Sequence, residues 1–552
     1  MSARRAVAAG LLLLGLAAPL SLTAAASASS ASSAGESLYR RGLLSSGALL
    51  VGHRAAGGVG LTGADAACVN CHRRSGLGSR EGSIAIPPIT GQYLFHAREG
   101  GPADHGLTYV ESMHGNRAPY TDATLARAIR EGLDSEGNPL SALMPRFALK
   151  DADMAALIDY LKNLDVTRVP GVTDILLHFA TIITPDADPV ARDGMLDVLN
   201  HYFADKNAIP FGPSPKMRTS GKTMYSKSMY VANRHWQLHV WQLSGPASGW
   251  HAQLQRYFAA EPVMAVVSGL GGSNWAPVHD FCEHERVPCL FPNLEVPVVE
   301  DGDFYSLYFS KGVLLEAELI AKAINERSGG PQVKIVQQIY RAGDTGEAAA
   351  QALTLILKSQ GIEVHSQVLA AGKPGHGVAA ALHGAAAADA LVLWLRPADV
   401  TALGESPPAP GAVFMSGLMG GLENAPLPSS WRGRVRLTYP VDLPDRRVVR
   451  LDYPLGWFRF RHIPVVAEQV QADTYLACGV LAETLSHMAD TIKPDYLVER
   501  TQETLDHRIL TGYYPRLTLA TGQTLASKGS YLVEFSEPTG TKLHADGDWT
   551  VP

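Results

Sequence analysis

Apolar residues fall into three different patterns along this chain. Near the N-terminus they form one long run, AVAAGLLLLGLAAPLSL, preceded by MSARR and followed by the small residues TAAASASS. A basic start, a short apolar core and a small-residue boundary predict a secretory leader over residues 1–28, cleaved near Ala26 or Ala28. The run is short for a spanning helix. Residues 36–166 are weakly patterned until ALKDADMAALIDYLKNL, where Met154, Leu157, Ile158, Leu161 and Leu164 recur at helical spacing. That stripe predicts an amphipathic helix with Asp151 as its N-cap. Beyond a Pro/Gly linker at 167–172 the pattern changes again. VMAVVSGL, VPCLFP, VKIVQQIY and ALVLWL are short and near-continuously apolar, as strands of a parallel sheet covered on both faces are. Helical runs such as GVLLEAELIAKAINERSGG and GEAAAQALTLILKSQG alternate with them. Residues 173–552 are therefore expected to be α/β with parallel sheets, and their length suits two lobes rather than one.

Composition excludes more than it assigns. At 552 residues, 46% hydrophobic and 18% charged, the chain has material for several packed domains. A formal charge of −6 argues against a nucleic-acid binder or an anionic-membrane binder. Five cysteines are too few for a disulfide scaffold. No later segment reads as a membrane span, so the mature protein is expected to be soluble and periplasmic, on the oxidising side.

The sharpest local signal is AACVNCHRRSGLG, with Cys68, Cys71 and His72. Two thiols three positions apart can each form a thioether to a porphyrin edge, and the adjacent imidazole can then reach the iron. A redox dithiol has no need of the histidine and belongs in a thioredoxin-like βαβ pattern, which is missing here. A zinc site needs a second ligand pair, and the remaining cysteines lie far along the chain. One covalent haem c is therefore expected. Met144, in SALMPRF ahead of the closing helix, is the expected sixth ligand, since a thioether favours reduced iron and suits an electron carrier. Met113, His105 and His114 are its rivals; His96, His105 and His114 are read as solvent histidines. With both axial positions filled, no enzyme is indicated and no catalytic residue is assigned.

These residues carry a resemblance. CVNCHRRSGLG, PPITGQYL and TLARAIREGLDSEGNPLSALMPRF occur in the order found in class I c-type cytochromes, which residues 36–166 resemble. The resemblance implies an all-α domain with His72 as proximal ligand, and with Pro88 near it, where a backbone carbonyl accepts the ring N–H.

Roughly residues 172–537 resemble the type I periplasmic solute-binding proteins, Leu/Ile/Val-binding branch. The segments concerned are ILLHFATI, VMAVVSGLGGSNWAPVHDFCEHERVPCLFP, YSLYFSKGVLLEAELIAKAI, VKIVQQIYRAGDTGEAAAQAL, GAVFMSGLMGG and QADTYLACGVLAETL. Ligands of that fold sit between the lobes. The resemblance implies contacts from Ser273, Asn274, Trp275, Asn293, Tyr308 and the Arg341–Asp344 turn, with Trp394 as a further flat wall. Ser, Asn and N–H groups at a helix start favour a small polar or carboxylate-bearing solute. FMSGLMGG offers no acid for an amino-acid ammonium, although Glu423 follows, so amino-acid specificity is not carried over.

Cys282 and Cys289 flank a helix–strand turn where a disulfide is feasible in an oxidising compartment, and Cys478 is expected to be a buried thiol. GLGG lacks dinucleotide-fingerprint spacing, and KMRTSGKTMYSK is read as a solvated basic loop. Taken together, these features predict a periplasmic haem c electron carrier that exchanges electrons with a dehydrogenase or other redox partner protein and is gated by a solute. The alternative is a transport or sensing protein with an accessory cytochrome.

Overall fold

The computed structural model describes residues 33–552 except 56, 82–83, 97–116, 165–168, 209–233, 327–332, 406, 408–410, 448–453, 489–490 and 508–511. The leader at 1–28, the KMRTSGKTMYSK patch, and Met113, His105 and His114 lie outside the described residues. The chain divides into two compact units, with the boundary at Thr167–Arg168. No described helix is long and apolar enough to cross a membrane.

The first unit is built from helices at 33–41, Asp122–Glu131 and Asp151–Asn163, with short strands between them. β1 (Val51–His53) pairs antiparallel with β2 (Gly60–Thr62) and with β5 (Arg146–Phe147), while β3 (Ser79–Glu81) pairs with β4 (Ile84–Ile86). Strands therefore accompany a unit expected to be all helical. The closing helix buries Met154, Leu157, Ile158 and Leu161 against Leu38, Tyr39, Leu125 and Ile129. Its N-cap is Lys150, one residue earlier than expected. Asp151 is instead helical, and its carboxylate accepts from Arg130 Nη2 at 2.7 Å.

The second unit has two lobes. In the first, β6 (Leu176–Ile183), β7 (His235–Gln242), β8 (Ala265–Val267), β9 (Cys289–Leu290) and β10 (Ser306–Leu307) form a parallel sheet of order β10-β9-β8-β6-β7. In the second, β11 (Ile335–Arg341), β12 (Glu363–Leu369), β13 (Ala390–Trp394), β14 (Ala412–Met415) and β15 (Val435–Tyr439) run parallel in the order β12-β11-β13-β14-β15. Antiparallel β16 (Tyr531–Phe535) and β17 (Leu543–Ala545) extend that sheet. In both parallel sets the strand order reverses beside the first strand, and such switch points open crevices at the carboxyl ends of strands.

The chain crosses between lobes after β10, after β15 and again before β16. Gly312 takes the first crossing at φ 60°, and a Cβ there would lie 2.0 Å from the Glu295 carbonyl, so the turn requires glycine. After the second crossing, helix Glu468–Ser486 packs on helix Pro189–Ala208 of the first lobe. Ser268 Oγ donates to Thr474 Oγ1 of that helix at 2.7 Å and ties it to the end of β8.

Cys282 and Cys289 are buried thiols, hydrogen-bonded to each other across the helix–strand turn where a disulfide is feasible. The helix–strand turn brings the sulfurs together, and the hydrogen bond with Cys289, with burial second, raises the Cys282 pKa well above its ordinary value. Cys478 is a buried free thiol.

Candidate functional sites: a thiol–imidazole cavity and an interlobe cleft

Cys71 and His72 belong to a short helix, Val69–His72, which Cys68 caps. All three residues line one cavity, walled by Leu38, Leu50, Ile89, Leu125, Leu157 and Leu161, and Met144 lines it too. His72 Nδ1 lies 3.0 Å from the Pro87 carbonyl oxygen. A carbonyl only accepts, so Nδ1 carries the proton and Nε2 keeps its lone pair. Burial lowers the imidazole pKa to about 4, against the opposing Pro87 hydrogen bond, so the ring stays neutral. Pro87, not Pro88, supplies the carbonyl. Successive carbonyls of extended chain point to opposite sides, so only one of the pair can face the ring.

Burial pushes the Cys68 thiol up to about 12, and a redox dithiol needs the opposite shift. Among the described residues the one cluster with metal-binding geometry is His279, Glu283 and Asp303 in the other unit, so no zinc partner stands beside Cys68. Two thiols, a neutral imidazole of fixed tautomer and a thioether around one apolar cavity fit a covalent haem. His96 is exposed at the end of helix Gly91–Phe95 and is not among the residues lining this cavity.

The second site is a cleft of about 720 Å³ lined from both lobes of the second unit. Of the residues expected there, Ser273, Asn293, Tyr308 and Asp344 line it. Tyr308 is nonetheless 1% exposed, and its hydroxyl sits 2.9 Å from His279 Nδ1.

Asn274, Trp275 and Arg341 do not line the cleft. Asn274 Oδ1 accepts from Ala276 N–H and shapes the helix start. Trp275 is 2% exposed beneath the GLGG turn, where a Cβ on Gly269 or Gly271 would meet its ring at 2.6 or 2.7 Å. Those glycines thus serve close packing and not a phosphate. Arg341 points into the second lobe and clamps Asp399 through Nε at 3.0 Å and Nη2 at 2.5 Å. Trp394 is fully buried, bonded to Gln338, and Glu423 is committed to Arg447 and Tyr439.

The residues that set the cleft's character were not singled out from sequence. Asp186, after β6, accepts from Ser273 N–H at 2.8 Å and Ser273 Oγ at 2.9 Å, and from Thr184 Oγ1 at 2.6 Å. Burial raises its pKa, but those hydrogen bonds outweigh burial and hold the carboxyl below its ordinary range. The helix-start seat expected for a ligand carboxylate is therefore filled by the protein's own.

Across the cleft, Arg396 after β13 donates to Glu295 and to Asp344. Burial lowers the guanidinium pKa, yet the two carboxylates outweigh it and raise the group overall. Asp473, on helix Glu468–Ser486, is pushed up to about 8 by burial, with hydrogen bonds from Tyr514 and Gln469 opposing.

Comparison with known proteins accords with this division. Residues 59–165 match the cytochrome c family and form a cytochrome c domain. No curated protein matches the chain. Among solved structures, the chain is similar to a fatty acid ABC transporter substrate-binding protein from Thermomonospora curvata, at 13% identity and TM-score 0.50, over 70% of this chain and 95% of that one. An ABC transporter substrate-binding protein from Sphaerobacter thermophilus aligns at 15% identity and TM-score 0.49, over 68% and 98% of the two chains. A leucine-binding protein from Thermotoga maritima aligns at 11% and 0.48, over 67% and 98%. The first of these likenesses shows the fold: two parallel-sheet α/β lobes of the type I periplasmic-binding-protein kind.

Proposed function

We propose that the protein is an exported haem c electron carrier whose second unit holds a small solute between its lobes. The observation that carries the reading is the shared cavity of Cys68, Cys71, His72 and Met144, with His72 oriented by the Pro87 carbonyl. When bound there, haem supplies one-electron transfer. Cys68 and Cys71 would anchor it, His72 Nε2 and Met144 would bind its iron, and the surrounding leucines would exclude water and raise the potential. With His72 and Met144 both engaged on its iron, the group would be left to carry electrons. The electron donor or acceptor is a periplasmic dehydrogenase or another redox protein, and occupancy of the cleft modulates that exchange.

The cleft at two switch points favours a second reading, a transport or sensing protein with an accessory cytochrome. Three measurements on holo-protein purified from the periplasm test these readings. A pyridine haemochrome spectrum typical of two thioethers and a Met–iron charge-transfer band support the haem assignment, and their absence sinks it. Native mass spectrometry reads ligand retained by the cleft. Stopped-flow electron exchange that is indifferent to every tightly bound ligand removes the modulation and leaves the second reading.

A further inference from the structure

The cleft is lined by Asp186, Asp188, Glu295, Asp344 and Asp473, with Arg396 the one basic side chain among the described lining residues. Most of these charges are already used. Arg396 is consumed by Glu295 and Asp344. Asp188 Oδ1 caps helix Pro189–Ala208 by accepting from Ala191 N–H at 2.8 Å. Asp186 fills the Ser273 seat with both of its oxygens engaged. No cation is left over among the described lining residues for an incoming carboxylate, and the Ser273 N–H and hydroxyl at the helix start are occupied by Asp186.

Asp473 differs from the others. Its side chain lines the cleft yet is 5% exposed; Oδ2 accepts from Tyr514 Oη at 3.2 Å, and the Gln469 side chain, also on the cleft wall, interacts with the same carboxyl. Oδ1 has no hydrogen-bond partner among the described residues. A buried carboxyl oxygen left unpaired at the wall of a cleft costs free energy until something fills it. The Tyr514 ring that holds the other oxygen packs 5.4 Å from Phe309, and both rings line the cleft. Leu270, Leu418 and Val441 add apolar wall. One free carboxyl oxygen beside aromatic faces is a seat for an organic ammonium, which takes one charge-assisted hydrogen bond and ring contacts. A hard metal ion would require a cage of oxygens, which this wall does not offer.

We propose that the cleft takes a small organic amine, an ammonium carried on an apolar body without a carboxylate, and that Asp473 Oδ1 receives the ammonium. The assignment rests on the reading of the cleft as a ligand site. Burial that pushes Asp473 up to about 8 is consistent with it, since the ammonium supplies the countercharge the folded protein lacks. The reversal from the solute expected by sequence comes from Asp186, which satisfies the anion seat from within.

Calorimetric titration of the holo-protein with three probes of one shape tests the assignment: 2-phenylethylamine, 2-phenylethanol and phenylacetate. The amine is expected to bind, the alcohol more weakly and phenylacetate not measurably. Asp473→Asn is expected to weaken the amine by about tenfold to a hundredfold and leave the alcohol unmoved. Far-UV circular dichroism and the haem spectrum verify that the variant is folded. Phenylacetate or phenylethanol binding at least as tightly as the amine overturns the assignment and leaves the cleft a ligand site. Amine binding unaffected by Asp473→Asn overturns it in the same way, as does a co-purified ligand without a basic nitrogen. Failure of the cleft reading itself looks different: no small molecule is retained from the periplasm and none of the three probes binds.

Discussion

Arg396 and Glu295 join the two lobes across the mouth of the cleft, with Nη1–Oε1 at 2.6 Å and Nη2–Oε2 at 2.5 Å. Asp344 holds the same guanidinium from the second lobe, and Thr345 Oγ1 donates to Glu295 Oε2 at 2.6 Å. The bond is bidentate and so sets an orientation as well as a distance.

That relationship makes the lobes separable by charge. Arg396 and Glu295 are 36% and 34% exposed, so solvent screens the pair and its worth is about 1 kcal/mol. Glu295→Gln should therefore shift the cleft toward an open form without unfolding either lobe. Small-angle scattering should report a larger radius of gyration, and hydrogen exchange should rise at the start of helix Thr345–Ser359, which Asp344 caps. Raising salt on the unmutated protein should move both observables in the same direction. A variant whose exchange pattern matches the parent's removes the latch.

Met144 is the proposed sixth ligand of the first unit's haem, and it lines the cavity of Cys68, Cys71 and His72. Met144→Ala in the holo-protein should lose the Met–iron charge-transfer band, lower the midpoint potential and admit exogenous imidazole to the iron. Redox titration with visible spectroscopy reads all three changes. An unchanged ligand field places the sixth ligand elsewhere.

The two sites differed sharply in how much of them could be read from residues alone. Cys68, Cys71 and His72 are adjacent in sequence, and their chemistry is a property of spacing, so the motif is legible before folding. Pro87 and Pro88 differ only in which carbonyl faces His72, and the sequence gives no basis for choosing between them. In the α/β unit the alternation of apolar runs was sufficient to foresee parallel sheets in two lobes. The cleft was another matter, because its lining comes from many strand-end loops. Ser273 was expected to receive a ligand, yet Asp186 reaches it from a loop far upstream. Glu295 stands just past Asn293 in FPNLE, and Asp473 sits in QADTYLACGV, a stretch that reads as an ordinary helix. Nothing local marks either residue; Oδ1 of Asp473 becomes conspicuous only once its surroundings are assembled.

Cys282 and Cys289 sit in hydrogen-bond contact within the first lobe. Protein matured in an oxidising compartment is expected to join them, and intact mass without reductant should be lighter by two hydrogens than after reduction. Closing so short a loop should stabilise the fold by about 2 kcal/mol, read as a fall in melting temperature on reduction. Cys282→Ser with Cys289→Ser should abolish that fall. Equal masses before and after reduction would falsify the pairing.

Asp473 should also leave a mark on stability against pH. Its folded pKa, about 8, lies above the unfolded aspartate value near 3.9, so the native state binds more protons between those limits. Stability contributed by the neutral carboxyl is fully present below about pH 4 and is lost as pH rises toward 8. Asp473→Asn keeps the neutral shape and removes the titration. The variant should therefore melt higher than the parent at pH 8, by on the order of 1 kcal/mol or more, and the difference should vanish near pH 4. Thermal melts of both holo-proteins across that range, without added amine, test it. Saturating 2-phenylethylamine should close the gap at pH 8 by stabilising the parent alone, since only the parent offers the ammonium a countercharge. A parent that is the more stable of the two at pH 8 without ligand would mean that Oδ1 is already satisfied, and the carboxyl would then be a packing element and not a binding group. The expected pattern is that of a residue kept for what it receives, at a cost to the unliganded fold.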